Sequence, residues 1–362
     1  MHSFLRYNMT ILLLAGAVVL RICMLCAGAS GCPSSKFDYS KEMSGEGVGE
    51  GINVFTYYLE RFRDSATVQI QKYLPSPHSD LLLGMVVGIN SLNKVPRFND
   101  VLKSTGTIHV VVVSGYNISL VFGLVIGIVG SQYKIKSLIS ALVVTLIYAV
   151  ISGFEPPVIR AWIMGTIAAF GRYYGRSIDA QKILIFSALV MVLINPDFIV
   201  SLSFQLSFAA TFSLIYYGDV VSYIIQKLVT VFRKNKDIVG KNVAILGDLS
   251  ATLSAQVLVL PIISYSFGRV SSISPLVNCL ILWTVPISTV MGGLLLLLTY
   301  VSPLLAKIFA PLVYVFLDVF ARVVYFFGNL KYSSINLKIS WEVFVIYYVV
   351  VLLIPKLVKV KK

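Results

Sequence analysis

Long, nearly unbroken apolar stretches recur along this chain and constrain its fold more than any other feature. A helix needs about 20 apolar residues to cross a hydrocarbon core of about 30 Å. Of the 362 residues, 57% are hydrophobic and only 13% are charged, whereas soluble domains carry roughly a quarter charged residues. The apolar stretches are continuous rather than alternating, which excludes an outer-membrane barrel. The sequence therefore predicts an all-α fold, a polytopic transmembrane helix bundle.

The apolar stretches predict about ten spans, at residues 9–29, 107–130, 137–154, 157–171, 181–195, 198–217, 243–266, 272–299, 304–328 and 340–356. The spans 157–171 and 181–195 are short for a crossing. The span 272–299 contains Pro275 and Pro286, which predicts a broken helix or two half-spans. Irregular backbone at membrane depth is tolerated where it is buried in protein or lines a water-filled cavity. Short and broken spans therefore indicate a pathway rather than a passive anchor.

Two helices are expected between the first and second spans. Residues 30–52 are rich in Gly, Ser and Glu and are typical of a flexible linker. Residues 53–74 alternate apolar and charged groups at helical spacing, which predicts an amphipathic helix on the membrane or on the protein. The apolar stretch 81–89 predicts a short helix of the same peripheral kind. Whether the first span is cleaved or lipidated at Cys32 stays open.

The chain is strongly basic, with 30 Lys and Arg against 16 Asp and Glu and a net charge of +14. Positively charged cytoplasmic loops would explain this surplus, and so would a polyanionic substrate such as nucleic acid. With a cytoplasmic N-terminus, the loops assigned to the cytoplasm carry basic residues in the segments 134–136, 172–182 and 227–241, at Lys307 and from 356 to 362. The short loops assigned to the outer face, after 266 and after 328, carry only Arg269, Lys331 and Lys338. We therefore predict a multi-pass protein of the cytoplasmic (inner) membrane with both termini inside, which leaves residues 30–106 on the outer face.

No motif of a soluble enzyme occurs in the sequence. It contains neither a phosphate-binding P-loop nor the G-x-S-x-G turn of a nucleophilic serine. The three histidines and four cysteines lack the spacing of metal ligands. We therefore expect no enzymatic activity, no metal and no cofactor.

Polar residues interrupt the apolar stretch IHVVVVSGYNISLV at 108–121. Ser114 and Asn117 are three residues apart and share a helix face, and Ser114-Gly115 is a place where a helix can bend. Hydrogen bonding between helices commonly uses such residues, and so does a substrate pathway. For His109 and Asn117 we favour the pathway, whereas for Ser114 both interpretations stay open.

The stretch SGFEPPVIRAWIM at 152–164 carries charges around two prolines. Pro157 disfavours helix for the residue before it, so a break is predicted there. Glu155 and Arg160 flank this break, and we expect them to pair across it. An arginine inside a membrane costs at least about 2.5 kcal/mol, which makes Arg160 a candidate site residue. In the alternative, Glu155 lies in an outer loop and Arg160 snorkels up to meet it.

Two later spans also carry buried-type amides and hydroxyls. Gln205 and Ser207 lie in NPDFIVSLSFQLSFAATF at 195–212, and Asn278 lies in the broken span. An amide in lipid must find a partner or water. We favour a functional role for Gln205 and leave packing and pathway lining open for Ser207.

These polar segments resemble those of the ComEC-type competence protein family. FNDVLKSTGTIHVVVVSGYNISLVFGLV is similar to a family pattern in which a histidine precedes a Ser-Gly pair, and GFEPPVIRAWIM is similar to the family's P-x-x-R-A-x-x-M segment. NPDFIVSLSFQLSFAATFSLIY and SYSFGRVSSISPLVNCLILWTVPI resemble two later family segments, and the four occur in the family's order. Where relatives often carry a second histidine after Ser-Gly, this chain has Asn117.

The resemblance implies an inner-membrane channel component that carries single-stranded DNA into the cytoplasm during natural transformation. It implies four regions: a transmembrane anchor at 1–30, an extracytoplasmic linker with amphipathic helices at 31–106, a channel domain at 107–356 and a basic tail at 357–362. The residues it implies for the pathway are His109, Ser114, Gly115, Asn117, Glu155, Pro157, Arg160, Gln205, Ser207 and Asn278.

The implied partners are single-stranded DNA and membrane lipids, together with a separate nuclease, a cytoplasmic ATPase or helicase and other copies of the chain. A separate nuclease is expected because the metallo-β-lactamase-like domain of many family members has no counterpart after the last span. Two other functions stay open. One is a permease or exporter for another anionic or lipid-linked substrate. The other is a membrane enzyme that uses His109 and Glu155 for acid–base chemistry.

Overall fold

The computed structural model describes residues 50–89, 91–111, 113–130, 134–176, 179–232 and 243–357. The predicted anchor at 1–30 with its span 9–29, the position of Cys32 and all but the first residue of the basic tail lie outside the described residues. The described helices are α1 Glu50–Gln71, α2 His78–Val87, α3 Pro96–Thr105, α4 Ile108–Val111, α5 Gly115–Val129, α6 Ile135–Ile151 and α7 Pro156–Tyr173. They continue with α8 Ala180–Ile194, α9 Leu202–Phe232, α10 Val243–Phe267, α11 Ser274–Ile281, α12 Thr284–Val301, α13 Pro303–Gly328 and α14 Trp341–Leu357.

Within the described residues, five helical segments are long and apolar enough to cross a membrane. They are Ile108–Val129, Leu202–Leu228, Leu246–Phe267, Thr284–Val301 and Pro303–Gly328. The apolar helices Ile135–Ile151, Ala180–Ile194 and Trp341–Val351 are shorter. Large apolar side chains such as Ile128, Leu193 and Val301 are widely exposed, as expected for a surface that faces lipid. The prediction of an all-α membrane helix bundle is confirmed, whereas the count of ten crossings stays a prediction.

The predicted break in the span 272–299 is confirmed. Helix α11 begins at Ser274 with Pro275 in its first turn, and a short turn at Leu282 and Trp283 separates it from α12. Because proline lacks a backbone N–H, both prolines fit best in the first turn of a helix. The stretch thus forms one short helix and one longer helix instead of a single long span.

A small antiparallel sheet, not predicted from the sequence, joins β1 (Arg269–Ser271) to β2 (Ser334–Asn336). Arg269 Nε donates a hydrogen bond to Asn336 Oδ1 at 3.1 Å. The pairing holds the end of α10 and the end of α13 at the same face of the bundle. Both ends were expected on the outer face, so the sheet agrees with their shared side.

The prediction that the apolar helix near 81–89 is peripheral is wrong. Helix α2 lies in the centre of the largest hydrophobic core among the described residues, with α1, α4, α12 and α13 around it. Nine of its ten residues are buried. Gly292, near the middle of α12, has no side chain, so Leu82 and Val86 pack directly against that helix. A short helix that is apolar on every side is stable only when protein surrounds it.

The predicted amphipathic helix is confirmed as α1, with bounds close to 53–74, and it packs on the protein through Ala66 and Ile70.

Tyrosine side chains of α14 donate hydrogen bonds to the backbone of α10. Pro261 lies inside α10 and cannot donate to the Val257 carbonyl one turn earlier. Tyr347 OH donates to that carbonyl at 2.8 Å and so satisfies it.

Candidate functional site

The candidate site begins at the break between α4 and α5. Helix α4 ends at Val111, and α5 starts at Gly115 after Ser114, whose backbone is extended. The Ser114 side chain does not cap α5, so it leaves the first backbone N–H groups of that helix without a side-chain acceptor. An uncapped helix start carries a partial positive charge. The helix is thus interrupted next to Ser114 and Gly115, at the place where the sequence predicts a bend.

Asn117 is completely buried and connects this break to α2. Its Nδ2 donates a hydrogen bond to the Met85 carbonyl at 3.1 Å, and Tyr148 OH donates to the same oxygen at 3.2 Å. The last four carbonyls of a helix have no partner within it, and Met85 lies in the last turn of α2. Asn117 and Tyr148 thus supply the donors that α2 lacks at its end.

We predict that Asn117→His is tolerated and that Asn117→Leu is not. An imidazole can still donate to the Met85 carbonyl, whereas leucine removes a donor and leaves Tyr148 as the remaining one. Hydrogen bonds between membrane helices contribute about 0.6 kcal/mol on average and up to about 1.7 kcal/mol. Thermal unfolding of the purified protein in detergent is the measurement. Equal stability of the leucine and histidine variants would contradict the assignment, and the pair Asn117→Leu with Tyr148→Phe should lose more than the two single losses added together.

Arg160 lies on α7 beside the start of α5. A Cβ at Gly115 would lie 2.9 Å from the Ala161 Cβ and 3.4 Å from Arg160 Nη2, so glycine is what lets α7 come this close. Arg160 Nη1 donates to Thr211 Oγ1 on α9, and its guanidinium lies 5.8 Å from the centre of the Phe208 ring. The side chain therefore bridges α5, α7 and α9.

The positive charge of Arg160 has no counter-charge among the residues that the structure describes. Its contacts are a hydroxyl, an aromatic ring and, at 4.0 Å, the sulfur of Met164. Among the residues the structure describes, no carboxylate lies at ion-pair distance from it. Its Nε is buried without a hydrogen-bond partner, and so is the hydroxyl of Ser207. A half-buried charge without a counter-charge among the described residues is costly, so the arrangement favours an anion that arrives from elsewhere.

The predicted pairing of Glu155 with Arg160 is wrong. The two side chains do not pair across the break, and Arg160 does not snorkel up to meet Glu155. Pro156 and Pro157 start α7, as expected, and this turns Arg160 towards α9. Glu155 instead lies near Arg63 of α1. Burial raises the pKa of the Glu155 carboxyl, and the positive charge of Arg63 acts against that rise. Arg63 donates from Nε and Nη2 to the Ile151 carbonyl, at 3.1 and 2.8 Å, and so caps the end of α6.

The structure brings only part of the predicted set together. Gly115, Pro157, Arg160 and Ser207 form one neighbourhood, because the Pro157 carbonyl would contact a Cβ at Gly115 and because Thr211, the partner of Arg160, donates to the Ser207 carbonyl. Asn117, two residues beyond Gly115, faces α2.

The other predicted residues lie elsewhere. Asn278 donates at 3.4 Å to Ser274 Oγ, which also receives Gln256, in a separate polar group. Gln205 donates to the nearby Ile199 carbonyl at 3.0 Å. His109 is exposed on α4. For these three residues a pathway role stays a prediction.

Three residues at the site were not predicted. Tyr148, Thr211 and Arg63 act through contacts to distant parts of the chain. The spacing of Thr211, one helical turn after Ser207, was the signal available for it. Tyr148 and Arg63 could not be predicted, because both donate to backbone carbonyls and the sequence does not show which carbonyl a side chain reaches.

The fold and the site together define an all-α membrane helix bundle in which Arg160 has neutral partners within the described part of the chain. The model of the Competence protein family matches residues 85–361, and the chain belongs to this family. It is 28% identical over 247 residues to ComE operon protein 3 of Bacillus subtilis (strain 168). That match covers 65% of this chain but only 26% of the relative, so the chain spans about a quarter of that protein's length. No solved structure matches the chain.

Proposed function

We propose that the protein is a non-enzymatic channel component that translocates single-stranded DNA across the inner membrane into the cytoplasm during natural transformation. Membership of the competence family supports a role in competence. The observation that carries the proposal further is Arg160, a cation inside the bundle with no counter-charge among the described residues. A phosphate group passing the start of α5 would neutralise it and would also meet the positive end of that helix.

The aromatic side chains next to Arg160 favour a nucleic acid over a small anion. The Phe204 and Phe208 rings lie 4.3 Å apart, and Phe208 also faces the guanidinium. Arginine and aromatic rings in one groove bind a single strand without sequence preference, because every nucleotide offers a phosphate and a flat base. His109, exposed on the short helix before the break, is proposed to line the approach to Arg160.

In this proposal both termini lie in the cytoplasm, and residues before α4 lie on the outer face, where DNA arrives. A separate nuclease would supply the single strand, and a cytoplasmic ATPase or helicase would draw it inward. Membrane lipids surround the bundle, and other copies of the chain are candidate partners.

The test is a deletion strain in which DNA binding at the cell surface and DNA entry into the cytoplasm are scored separately. We expect binding to persist and entry to fall to background, with recovery when the gene is returned on a plasmid. Normal entry in the deletion strain would reject the proposal. Loss of export or import of a lipid-linked or small anionic compound, with normal DNA entry, would favour the permease instead.

A further inference from the structure

A second group of charged residues lies at the other end of α2, away from Arg160. His78 opens the helix and is only 8% exposed, and its ring packs at 4.4 Å on the ring of Tyr314 in α13. Its Nε2 lies 3.4 Å from Asp318 Oδ1, while Arg322 Nε lies 2.6 Å from the other oxygen of that carboxylate. Tyr314 and Asp318 belong to the central part of a membrane span. An imidazole is thus buried between α2 and the middle of α13.

The contacts of His78 fit an uncharged ring. Neither ring nitrogen has an aligned hydrogen bond. The charge of Asp318 is already matched by Arg322 at the shorter distance. A protonated imidazole would therefore be buried next to a single carboxylate, Asp318, that already neutralises Arg322, and this is unfavourable. The same histidine exposed to water would bind a proton freely near its ordinary pKa of about 6.5.

We propose that His78 is a proton-binding site that controls the docking of α2 against α13. In the docked state the imidazole is neutral. Proton binding favours a state in which the start of α2 has moved away from Tyr314 and Asp318 and exposes the ring. The ligand is a single proton, and acid therefore loosens α2. The inference goes beyond the proposed function and does not depend on it.

The surroundings of His78 contain few other groups that could take the proton. Asp318 and Arg322 are the charged groups that act on it. Helix α12 presents no charged residue, and on α4 the titratable residue is the exposed His109. On α1, Glu60, Arg61 and Asp64 are exposed, and Arg63 is turned towards α6. Asp80, two residues along α2, accepts from Ser76 at 2.7 Å, and its other oxygen is buried without a partner. Asp80 is thus the nearest other carboxylate on α2, and a matched variant at this position controls for it.

Because the chain has only three histidines, the protonation of His78 can be followed directly. In the full-length variant His2→Gln with His109→Gln, ¹⁵N-histidine NMR in detergent reports on His78 alone. We expect a neutral ring at pH 7 and protonation with a midpoint below about 6.5. A ring that is already charged at pH 7 would overturn the proposal.

Docking of the start of α2 can be followed through Leu81, which is fully buried one turn after His78. In a chain whose native cysteines are replaced by serine, Leu81→Cys is labelled with a maleimide. Val68→Cys on α1, at a position that is 55% exposed, corrects for the reagent's own pH dependence. We expect the corrected labelling rate to rise as the pH falls, by at most about tenfold per pH unit, the limit for one proton.

His78→Gln should abolish this pH dependence, whereas the matched variant His109→Gln should keep it. If His78→Gln keeps it, or if Asp80→Asn removes it instead, the assignment to His78 is wrong. If His78→Gln does not fold, the NMR titration decides. There, protonation of His78 without any rise in the labelling of Leu81→Cys would reject the link to docking.

Discussion

Replacing Arg160 by alanine is expected to lower DNA entry into the cytoplasm by roughly ten- to a hundredfold while the protein stays in the membrane. Hydrogen bonds to charged groups contribute about 1.5–3 kcal/mol, and about 1.4 kcal/mol corresponds to a factor of ten. The protein itself should lose little stability, because Arg160 has only neutral partners among the described residues. Removing a buried charge that lacks a counter-charge removes a cost as well as a contact.

The measurement is the fraction of labelled DNA that becomes resistant to external nuclease in the deletion strain carrying each variant. Arg160→Lys should give an intermediate loss, since lysine keeps the charge but not the planar fork that binds phosphate through two hydrogen bonds. Arg172→Ala is the matched control, because Arg172 is on the same helix but exposed. Normal entry with Arg160→Ala, at equal protein level, would mean that this arginine only packs α7 against α9.

Features encoded by neighbouring residues were predictable from the sequence. The apolar stretches predicted a helix bundle because crossing lipid requires them, and Pro156 and Pro157 predicted the start of α7. The two prolines near 275 and 286 likewise predicted the broken span. In each case the cause lies within one or two turns of the element it shapes. The resemblance to the competence family was equally local, and the family match confirms it.

The partners of the polar residues could not be predicted, because they lie far away along the chain. Asn117 donates to a residue 32 positions earlier, and Arg160 donates to one 51 positions later. A charge pattern favoured the nearer partner, Glu155, which the rigid start of α7 turns away from Arg160. The burial of α2 was missed for a related reason. The nine residues of the apolar stretch 81–89 are too few to cross a membrane, and the sequence alone does not show that other helices surround them.

Asn117 illustrates what the structure adds to the resemblance. The sequence raises the question of why an amide stands where relatives often carry an imidazole. The structure shows a donor directed at a carbonyl that α2 cannot satisfy itself. An amide and an imidazole both carry an N–H, so we infer that the position requires a hydrogen-bond donor rather than a group that titrates. The hydrogen bond joins the break between α4 and α5 to the end of α2.

Gly88→Ala is expected to lower the free energy of unfolding by about 2–4 kcal/mol, the largest loss we predict for a single methyl group. Gly88 ends α2 with φ 76° and ψ 18°, a left-handed conformation that costs other residues energy. A Cβ there would also lie 2.6 Å from the Ser152 carbonyl oxygen and 3.1 Å from the Ser152 Cα. These are backbone atoms, which cannot rotate away as the end of a side chain can, so α2 or the end of α6 must move.

The two causes can be separated by a second substitution, because asparagine tolerates the left-handed conformation but still carries a Cβ. If Gly88→Asn destabilises the protein as much as Gly88→Ala, the contact with Ser152 dominates, and if it is much milder, the backbone conformation dominates. Thermal unfolding in detergent and the amount of folded protein in the membrane are the readouts.

Gly127→Ala in α5 is the control, since nothing lies within 4 Å of its Cβ and its φ is ordinary. It should be neutral or slightly stabilising, as for a glycine inside a helix. Equal stability of the Gly88 and Gly127 alanine variants would show that the end of α2 does not pack against α6 as closely as the structure has it, and the shared docking of Met85 on Asn117 and Tyr148 would fall with it.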